Sequence, residues 1–438
     1  MAYYVPSTED EQLEMMRAIG VSSWDDLYAG LPAGLLLEDL NIPAGLSEYG
    51  ARVMMEGLAS ENRIFPSIFR GAGAYNHYIP SLVKQITSRE EFVTSYTPYQ
   101  AEISQGTLQS IFEFQTMMCE LTGLDASNAS IYDGASAAAS AAAMCRARNR
   151  AVVLISEAAN PRVISVVETY CYAAGAGVKK IPARDGVTDG ESLAAMLDDS
   201  VACVYIEQPN YFGLIEDASE LGRIAHSGGA KFVMGVNPIA AAVLRTPGEC
   251  GADVAVGEAQ PLGMPLSFGG PYLGFMTASS DMARHLPGRI VGETVDVDGK
   301  RAFVLTLQAR EQHIRRERAS SNICSNQALC ALTASVYLTV MGPHGLRQVA
   351  DHCFSKAHYA AEQISAVKGF ELAHEGEFFH EFVTSCPMDS ESLLRRLESR
   401  GILGGLPVDG GILWCVTEMN TREEIDELTA ILREAVRG

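Results

Sequence analysis

Between residues 151 and 278, six short apolar runs recur: AVVLIS (151–156), GVKKIPA (177–183), VACVYIE (201–207), KFVMGV (231–236), ADVAVG (252–257) and YLGFMTA (272–278). Amphipathic stretches such as NPRVISVVETYCYAAG and DASELGRIAHSGG lie between them. Apolar runs of strand length read as strands buried on both faces, and strands joined by helical crossovers lie parallel. The pattern predicts an α/β domain with a mainly parallel sheet covered by helices. Ligands of such sheets bind beyond the carboxyl ends of the strands.

The flanks read differently. STEDEQLEMMRAIG offers an N-cap at Ser7 or Thr8 and helix-spaced Leu13, Met16 and Ile19, while Gly and Pro punctuate AGLPAGLLLEDLNIPAGLSE. Residues 1–85 are therefore expected to form a helical N-terminal arm, followed by the large domain over 86–318. Beyond it, NQALCALTASVYLTVMG predicts a long apolar helix and FSKAHYAAEQISAVKG a second. Strand-like EFFHEFVTS and GILWCVTE, the helical DSESLLRRLESRG and a final helix from Thr421 complete a small α+β domain over 319–438.

Composition enters as exclusion. Thirty-three Lys and Arg against 54 Asp and Glu leave a net charge of −21, a field that repels nucleic acid and acidic membranes. No stretch reaches the roughly 20 uninterrupted apolar residues of a membrane span. The start, MAYYVPSTEDEQLEMM, shows no basic region followed by an apolar one, so a cytoplasmic location is expected. Ten scattered cysteines without a CxxC pair read as reduced, buried thiols, and nine histidines without HxH or HExxH spacing predict no dedicated metal site. Neither GxGxxG after the first strand nor GxxxxGK[ST] occurs, which argues against dinucleotide and P-loop chemistry.

ASIYDGASAAASAAAMCRARNR (129–150) sets Asp133, Gly134, Ala135 and Ser136 before an alanine-rich helix. Small residues at a helix start let its free N–H groups approach an anion, typically phosphate, and they serve close helix–sheet packing equally well. The arm, the large domain opening on this helix and the small C-terminal domain together resemble the aspartate-aminotransferase-like (type I) pyridoxal-phosphate transferase architecture, whose α/β large domain has a mainly parallel seven-stranded sheet. That resemblance implies an Asp at a strand end for the pyridine nitrogen and a Schiff-base Lys about 25 residues onward. The chain has seven lysines, at 84, 179, 180, 231, 300, 356 and 368, and none ends the expected strand. Met234 stands where the Asp belongs, and Gln260-Pro261 stands where a His-Lys pair would sit. The expected pocket is a degenerate one: Asp133, Gly134 and Ser136, with Met234 and Pro261 replacing the usual Asp and Lys.

Four longer stretches carry a more specific resemblance: GAGAYNHYIPSLV (71–83), SYTPYQAEISQGTLQSIFEFQTMMCELTGLDASNAS (95–130), FGGPYLGFM (268–276) and QAREQHIRRERASSNICSNQAL (308–329). They closely resemble glycine decarboxylase, the P-protein of the glycine cleavage system, in its amino-terminal half or the separate subunit 1. The resemblance implies that a related subunit 2 holds pyridoxal phosphate and its lysine, with none held covalently on this chain. It implies an αβ unit that dimerises, decarboxylates glycine and passes the aminomethyl group to the lipoyl arm of the H-protein. This chain would then be a subunit of an aminomethyl-transferring glycine dehydrogenase, inactive alone.

Active sites of this architecture lie at subunit interfaces, so residues of this chain are expected to reach the partner's site. Pro98 fixes a turn that presents Tyr96, Thr97, Tyr99 and Gln100, donors suited to a glycine carboxylate or a cofactor phosphate. The alternative is an aromatic loop at a subunit contact. Ser104 and Gln105 either join this group or cap the next helix. Tyr75, Asn76 and His77 sit beside glycines that allow close backbone approach, at a site or at a plain interface. In REQHIRRERASSNIC, His313 and Arg315 either line the lipoyl-arm channel or belong to a solvated helix face, with Asn322 holding a loop nearby. Two further readings remain: a scaffold that lends no atoms, and an independent pyridoxal-phosphate enzyme, which the lysine positions oppose.

Overall fold

The computed structural model of the chain describes residues 7–37, 41–94, 96–319 and 321–437. Ser95 and Ser320, which fall within two of the motifs above, lie outside the described residues. The chain divides into two compact units, with the boundary between Ile64 and Phe65.

In the first unit the helix Glu9–Ile19 starts at a reciprocal capping box. The Thr8 hydroxyl accepts from the Glu11 amide at 3.3 Å, and the Glu11 carboxylate accepts from the Thr8 amide at 2.7 Å. Two amides that a helix start leaves free are thereby satisfied. Gly20, at φ 81°, ends the helix in the left-handed conformation that glycine adopts without strain. The short Trp24–Leu27 turn and the helix Glu48–Ser60 follow. No residue of the latter helix is buried, and Tyr49, Met54 and Met55 are all exposed.

The second unit is organised by a seven-stranded sheet: β1 (Ala126–Ser127), β2 (Val152–Ser156), β3 (Val178–Ile181), β4 (Val201–Gln208), β5 (Lys231–Val236), β6 (Val254–Glu258) and β7 (Gly274–Ala278). The strand order is β1-β7-β6-β5-β4-β2-β3. Strands β2 to β6 are parallel, and β7 runs antiparallel between β6 and β1. All six apolar runs of the sequence became strands, and the sheet is mainly parallel, as expected. Strand β1 escaped the sequence reading because two residues are too few to show a period.

Alternation along the strands divides the core. Leu154, Val204, Ile206, Phe232 and Met234 face the helices Gln105–Thr122 and Ala218–Ser227, among Phe114, Met118 and Leu221. Their neighbours Val153, Ile155, Cys203, Tyr205 and Val233 face Gly134–Cys145 and Pro161–Ala173 on the other side. A side-chain period of two on a sheet covered on both faces requires this arrangement. All ten cysteines are free, and six of them are buried.

The two helices expected after residue 326 run as one 38-residue element, Ala328–Ser365, kinked where Gly342 takes φ 61° and Pro343 lacks its N–H. Ala331, Ala334, Tyr337 and Ala350 enter the core of the large sheet, whereas Ala357, Ala360 and Ile364 enter the core of the small domain. The helix is long and apolar enough to cross a membrane, yet these residues are at most 1% exposed within the protein. The small domain is an antiparallel sheet of Glu381–Thr384, Gly411–Cys415 and Leu406–Val408 around Trp414, whose indole donates to the Thr384 hydroxyl at 2.9 Å. Ser67–Ile68 pairs parallel with Ile402–Leu403, and residues 65–85, read above with the arm, lie within this second unit.

Phe114 is fully buried between its helix and the sheet. Phe114→Ala should lower the unfolding free energy by about 3–5 kcal/mol, because the cavity cannot collapse in a sheet covered on both faces. Chemical denaturation checks this, and a loss under about 1 kcal/mol would contradict the packing described.

Candidate functional site

Two strands carry glutamates at the carboxyl edge of the sheet, one at the last position and one at the last but one. Glu207 of β4 accepts from the Asn160 amide at 2.8 Å and from the Tyr205 hydroxyl at 3.0 Å. Glu258 of β6 accepts from the amides of Gly134 at 3.0 Å, Gln260 at 3.0 Å and Leu273 at 2.8 Å. Asn160 caps the helix Pro161–Ala173 and Gly134 opens the helix Gly134–Cys145, so each helix meets a carboxylate at its positive end. Burial pushes both carboxyls up to about 7, against the pull of these hydrogen bonds.

The segment 71–78 crosses this edge and stitches it to the small domain. The Ala72 amide donates to Glu381 at 2.6 Å, and its carbonyl accepts from the Asn160 side chain at 3.1 Å. Gln260 is fully buried and exchanges hydrogen bonds with the Tyr75 backbone, N–H and C=O, at 2.9 Å each. The Tyr75 hydroxyl donates to Glu381 at 2.7 Å, and the Asn76 carbonyl accepts from Thr417 at 2.7 Å. Burial, with Glu207 nearby, pushes Glu381 up to about 7. His77 Nδ1 lies 2.7 Å from the Glu418 carboxylate, which also accepts from the Tyr78 amide and the Cys353 thiol. Burial raises Glu418, but its bonds to His77 and the Tyr78 amide outweigh burial and hold it below the ordinary carboxylate range. The fold thus collects donor atoms of His77, Cys353 and Glu418 within 4.8 Å of one another, although no local motif announces them.

The expected degenerate pocket sits at the same edge. Asp133 caps its helix, accepting from the Ser136 amide at 2.7 Å and from the Ser136 hydroxyl at 3.1 Å. Met234 is fully buried in β5, and Pro261 is buried beside Gln260. At these two positions there is no carboxylate for a pyridine nitrogen and no amine for a Schiff base. The residues present do not fit pyridoxal phosphate.

A second cluster faces outward. Pro98 is buried and anchors its turn, leaving Tyr96 82% and Tyr99 55% exposed, with Gln100 exposed and Thr97 half-buried. The Tyr96 hydroxyl lies 3.1 Å from the Ser325 hydroxyl. The Tyr99 hydroxyl accepts from Arg289 at 2.9 Å, while that guanidinium also lies 5.0 Å from the ring centre. Arg289 is itself buried and reaches Asn326 at 3.4 Å. The fold therefore joins the SYTPYQ and SSNICSNQ motifs across one patch.

The remaining candidates make other contacts. Gln105 is a strut, bonded through its amide to both the carbonyl and the N–H of Phe303, and Ser104 starts its helix without a side-chain cap. His313 is exposed with Nδ1 3.6 Å from Glu311, and Arg315 is exposed beside it. Asn322 lines a cleft of about 560 Å³ with Ser140, Arg146 and Arg316. Among the described residues no hydrogen bond joins His313, Arg315 or Asn322 to the tyrosine patch. Sequence reasoning missed Arg289, which stands in PGRI without any motif, and Glu381, whose partner Tyr75 is 306 residues away.

The sequence profile of the family described as "Glycine cleavage system P-protein" matches residues 2–432. A relative from Desulfitobacterium hafniense, "Probable glycine dehydrogenase (decarboxylating) subunit 1", is 49% identical over 442 residues, covering 98% of this chain and 99% of its own. A protein of the same name from Moorella thermoacetica is 49% identical over 439 residues, with 98% and 99% covered. The crystal structure of glycine decarboxylase (P-protein) of the glycine cleavage system, in inhibitor-bound form, superposes with TM-score 0.93 at 40% identity, covering 99% of this chain and 100% of that one. Lactobacillus brevis glutamate decarboxylase, at 12% identity, TM-score 0.70 and coverage of 92% and 95%, shares the fold alone.

Glu381 supplies a pH signature. Its folded carboxyl, at about 7 against the ordinary 4.5, holds a proton more tightly than the unfolded one, so its contribution to stability is lost as pH rises through that window. Glu381→Gln mimics the protonated form. Its stability relative to the parent should rise by on the order of 2 kcal/mol between pH 5 and pH 8. Denaturation at both pH values measures it, and a pH-independent difference would show that Glu381 titrates normally.

Proposed function

Because the chain belongs to the glycine cleavage system P-protein family, we propose that it serves as the lysine-free subunit 1 of a two-subunit glycine decarboxylase. Its partner, subunit 2, holds pyridoxal phosphate, which when bound withdraws electrons from the α-carbon of glycine. The two form an αβ unit that dimerises, releases the glycine carboxylate as CO2 and hands the aminomethyl group to the lipoyl arm of the H-protein. The assembly works in the cytoplasm, and this chain has no turnover of its own.

The observation that carries this reading is a contrast between two sites on one chain. At the sheet's carboxyl edge, Met234 and Pro261 stand where a cofactor would need an acid and an amine. On the surface, Tyr96 and Tyr99 hold two phenols outward on a turn fixed by buried Pro98 and backed by Arg289. Tyr96, Thr97, Tyr99 and Gln100 offer neutral donors for a glycine carboxylate or a cofactor phosphate in the partner's site. Buried Arg289 orients the Tyr99 hydroxyl and biases it toward donation, since it accepts from the guanidinium. His313, Arg315 and Asn322, exposed on the following segment, suit passage of the lipoyl arm. For Tyr75 and Asn76 a scaffold role is favoured, because their hydrogen bonds are made within this chain.

Mixing the purified chain with subunit 2, H-protein and pyridoxal phosphate should release label from carboxyl-labelled glycine, whereas the chain alone should release none. Tyr96→Phe and Tyr99→Phe should each lower kcat by about tenfold, the loss of one oriented hydrogen bond, without changing assembly. Turnover by the lone chain would overturn the subunit reading. Full activity in both variants would reduce the loop to a scaffold.

A further inference from the structure

The helix Gly134–Cys145 presents its start to the end of β6, the place where this architecture would seat an anion. That place is taken by the protein itself. One oxygen of Glu258 accepts from the Gly134 amide at 3.0 Å, and the other accepts from Gln260 at 3.0 Å and Leu273 at 2.8 Å. The approach is close: a Cβ added to Gly134 would lie 2.9 Å from both Cβ and N of Glu258. A Cβ on Gly274, across the same junction, would lie 2.3 Å from the Asp133 carbonyl oxygen. Further along the helix start, the Ser136 amide and hydroxyl both go to Asp133.

We propose that the Glu258 carboxyl is an internal plug that seals this cup, so that the chain binds neither inorganic phosphate nor the phosphate of a pyridoxal cofactor. Three backbone dipoles and no cationic side chain hold the Glu258 carboxylate. An incoming phosphate would have to displace it, fill space that the backbone already occupies, and sit beside the charge of Asp133. Loss of the lysine and the acid removes the chemistry of a cofactor site. The Glu258 contact removes the room and the donors, which is a separate and stronger exclusion. It also gives the edge a stabilising function, because the carboxylate satisfies one of the amides that a helix start leaves without an intrahelical partner.

The test uses the full-length chain with inorganic phosphate and with pyridoxal phosphate as probes. The parent protein should show no saturable shift in melting temperature or heat of binding with either probe at millimolar concentration, compared with chloride of equal ionic strength. Glu258→Ser, which vacates the volume, should gain phosphate binding at least about tenfold tighter than the parent, ~1.4 kcal/mol. Glu258→Gln keeps the shape without the charge and should gain a weaker response. Parent binding as tight as that of the Ser variant would overturn the proposal, and so would a folded Ser variant that gains nothing. Hydrogen exchange in the parent keeps the question open to test if the variants do not fold. The Gly134 amide should be protected and indifferent to phosphate, and protection that appears only on adding phosphate would overturn the seal. None of these readouts involves glycine turnover, so failure here and failure of the subunit reading are distinguishable.

Discussion

The half-buried carboxylates at the carboxyl edge of the sheet are the constraint from which the rest of the second unit follows. A sheet covered on both faces directs the helices that follow β1 and β2 back over it, and each arrives with unsatisfied amides at its positive end. Glu258 and Glu207 meet those helix starts from the ends of β6 and β4. Ligands of open α/β sheets bind at that same edge. Here it is closed by side chains whose protonation is raised by the burial that makes them effective.

Closing the edge also fixes the two domains of the second unit to each other. The segment 71–78 lies across the junction, tied to β6 through Gln260, to the small-domain strand through Glu381 and to the following turn through Glu418. The helix Ala328–Ser365 makes the second connection, giving one half to each core. The turn at Pro98 is tied to the same unit through Arg289 and Ser325. Rigid presentation is what a loop must have if it is to complete a site on another molecule.

Different parts of this arrangement were legible to different degrees. The six central strands were visible because burial on both faces leaves an unbroken apolar run, and an N-cap at Ser7 or Thr8 was visible because it is local, the structure choosing Thr8. Met234 and Pro261 could be read as departures from the resembled architecture because they stand at short offsets along strands already identified. The kinked union of two helices at Gly342-Pro343 was not legible, since Gly and Pro ordinarily end a helix, and only packing against two cores carries the element through. The inward turn of Tyr75 was equally hidden, because its partner Glu381 becomes a neighbour only after the small domain folds back.

By itself, then, the sequence determined the strand pattern, the direction of the sheet, the family and the places of its seven lysines. All of these are properties of residue type and short-range spacing. Tertiary structure alone decided that the cup is filled by Glu258, that 71–78 is an internal seam, and that Tyr96 and Tyr99 stand outward with Arg289 behind them. Each of these depends on contacts between residues more than 100 positions apart, such as Gly134 with Glu258 and Tyr99 with Arg289. Pairings at that range are set by which buried polar groups must find partners, a condition the folded chain imposes and its linear order does not.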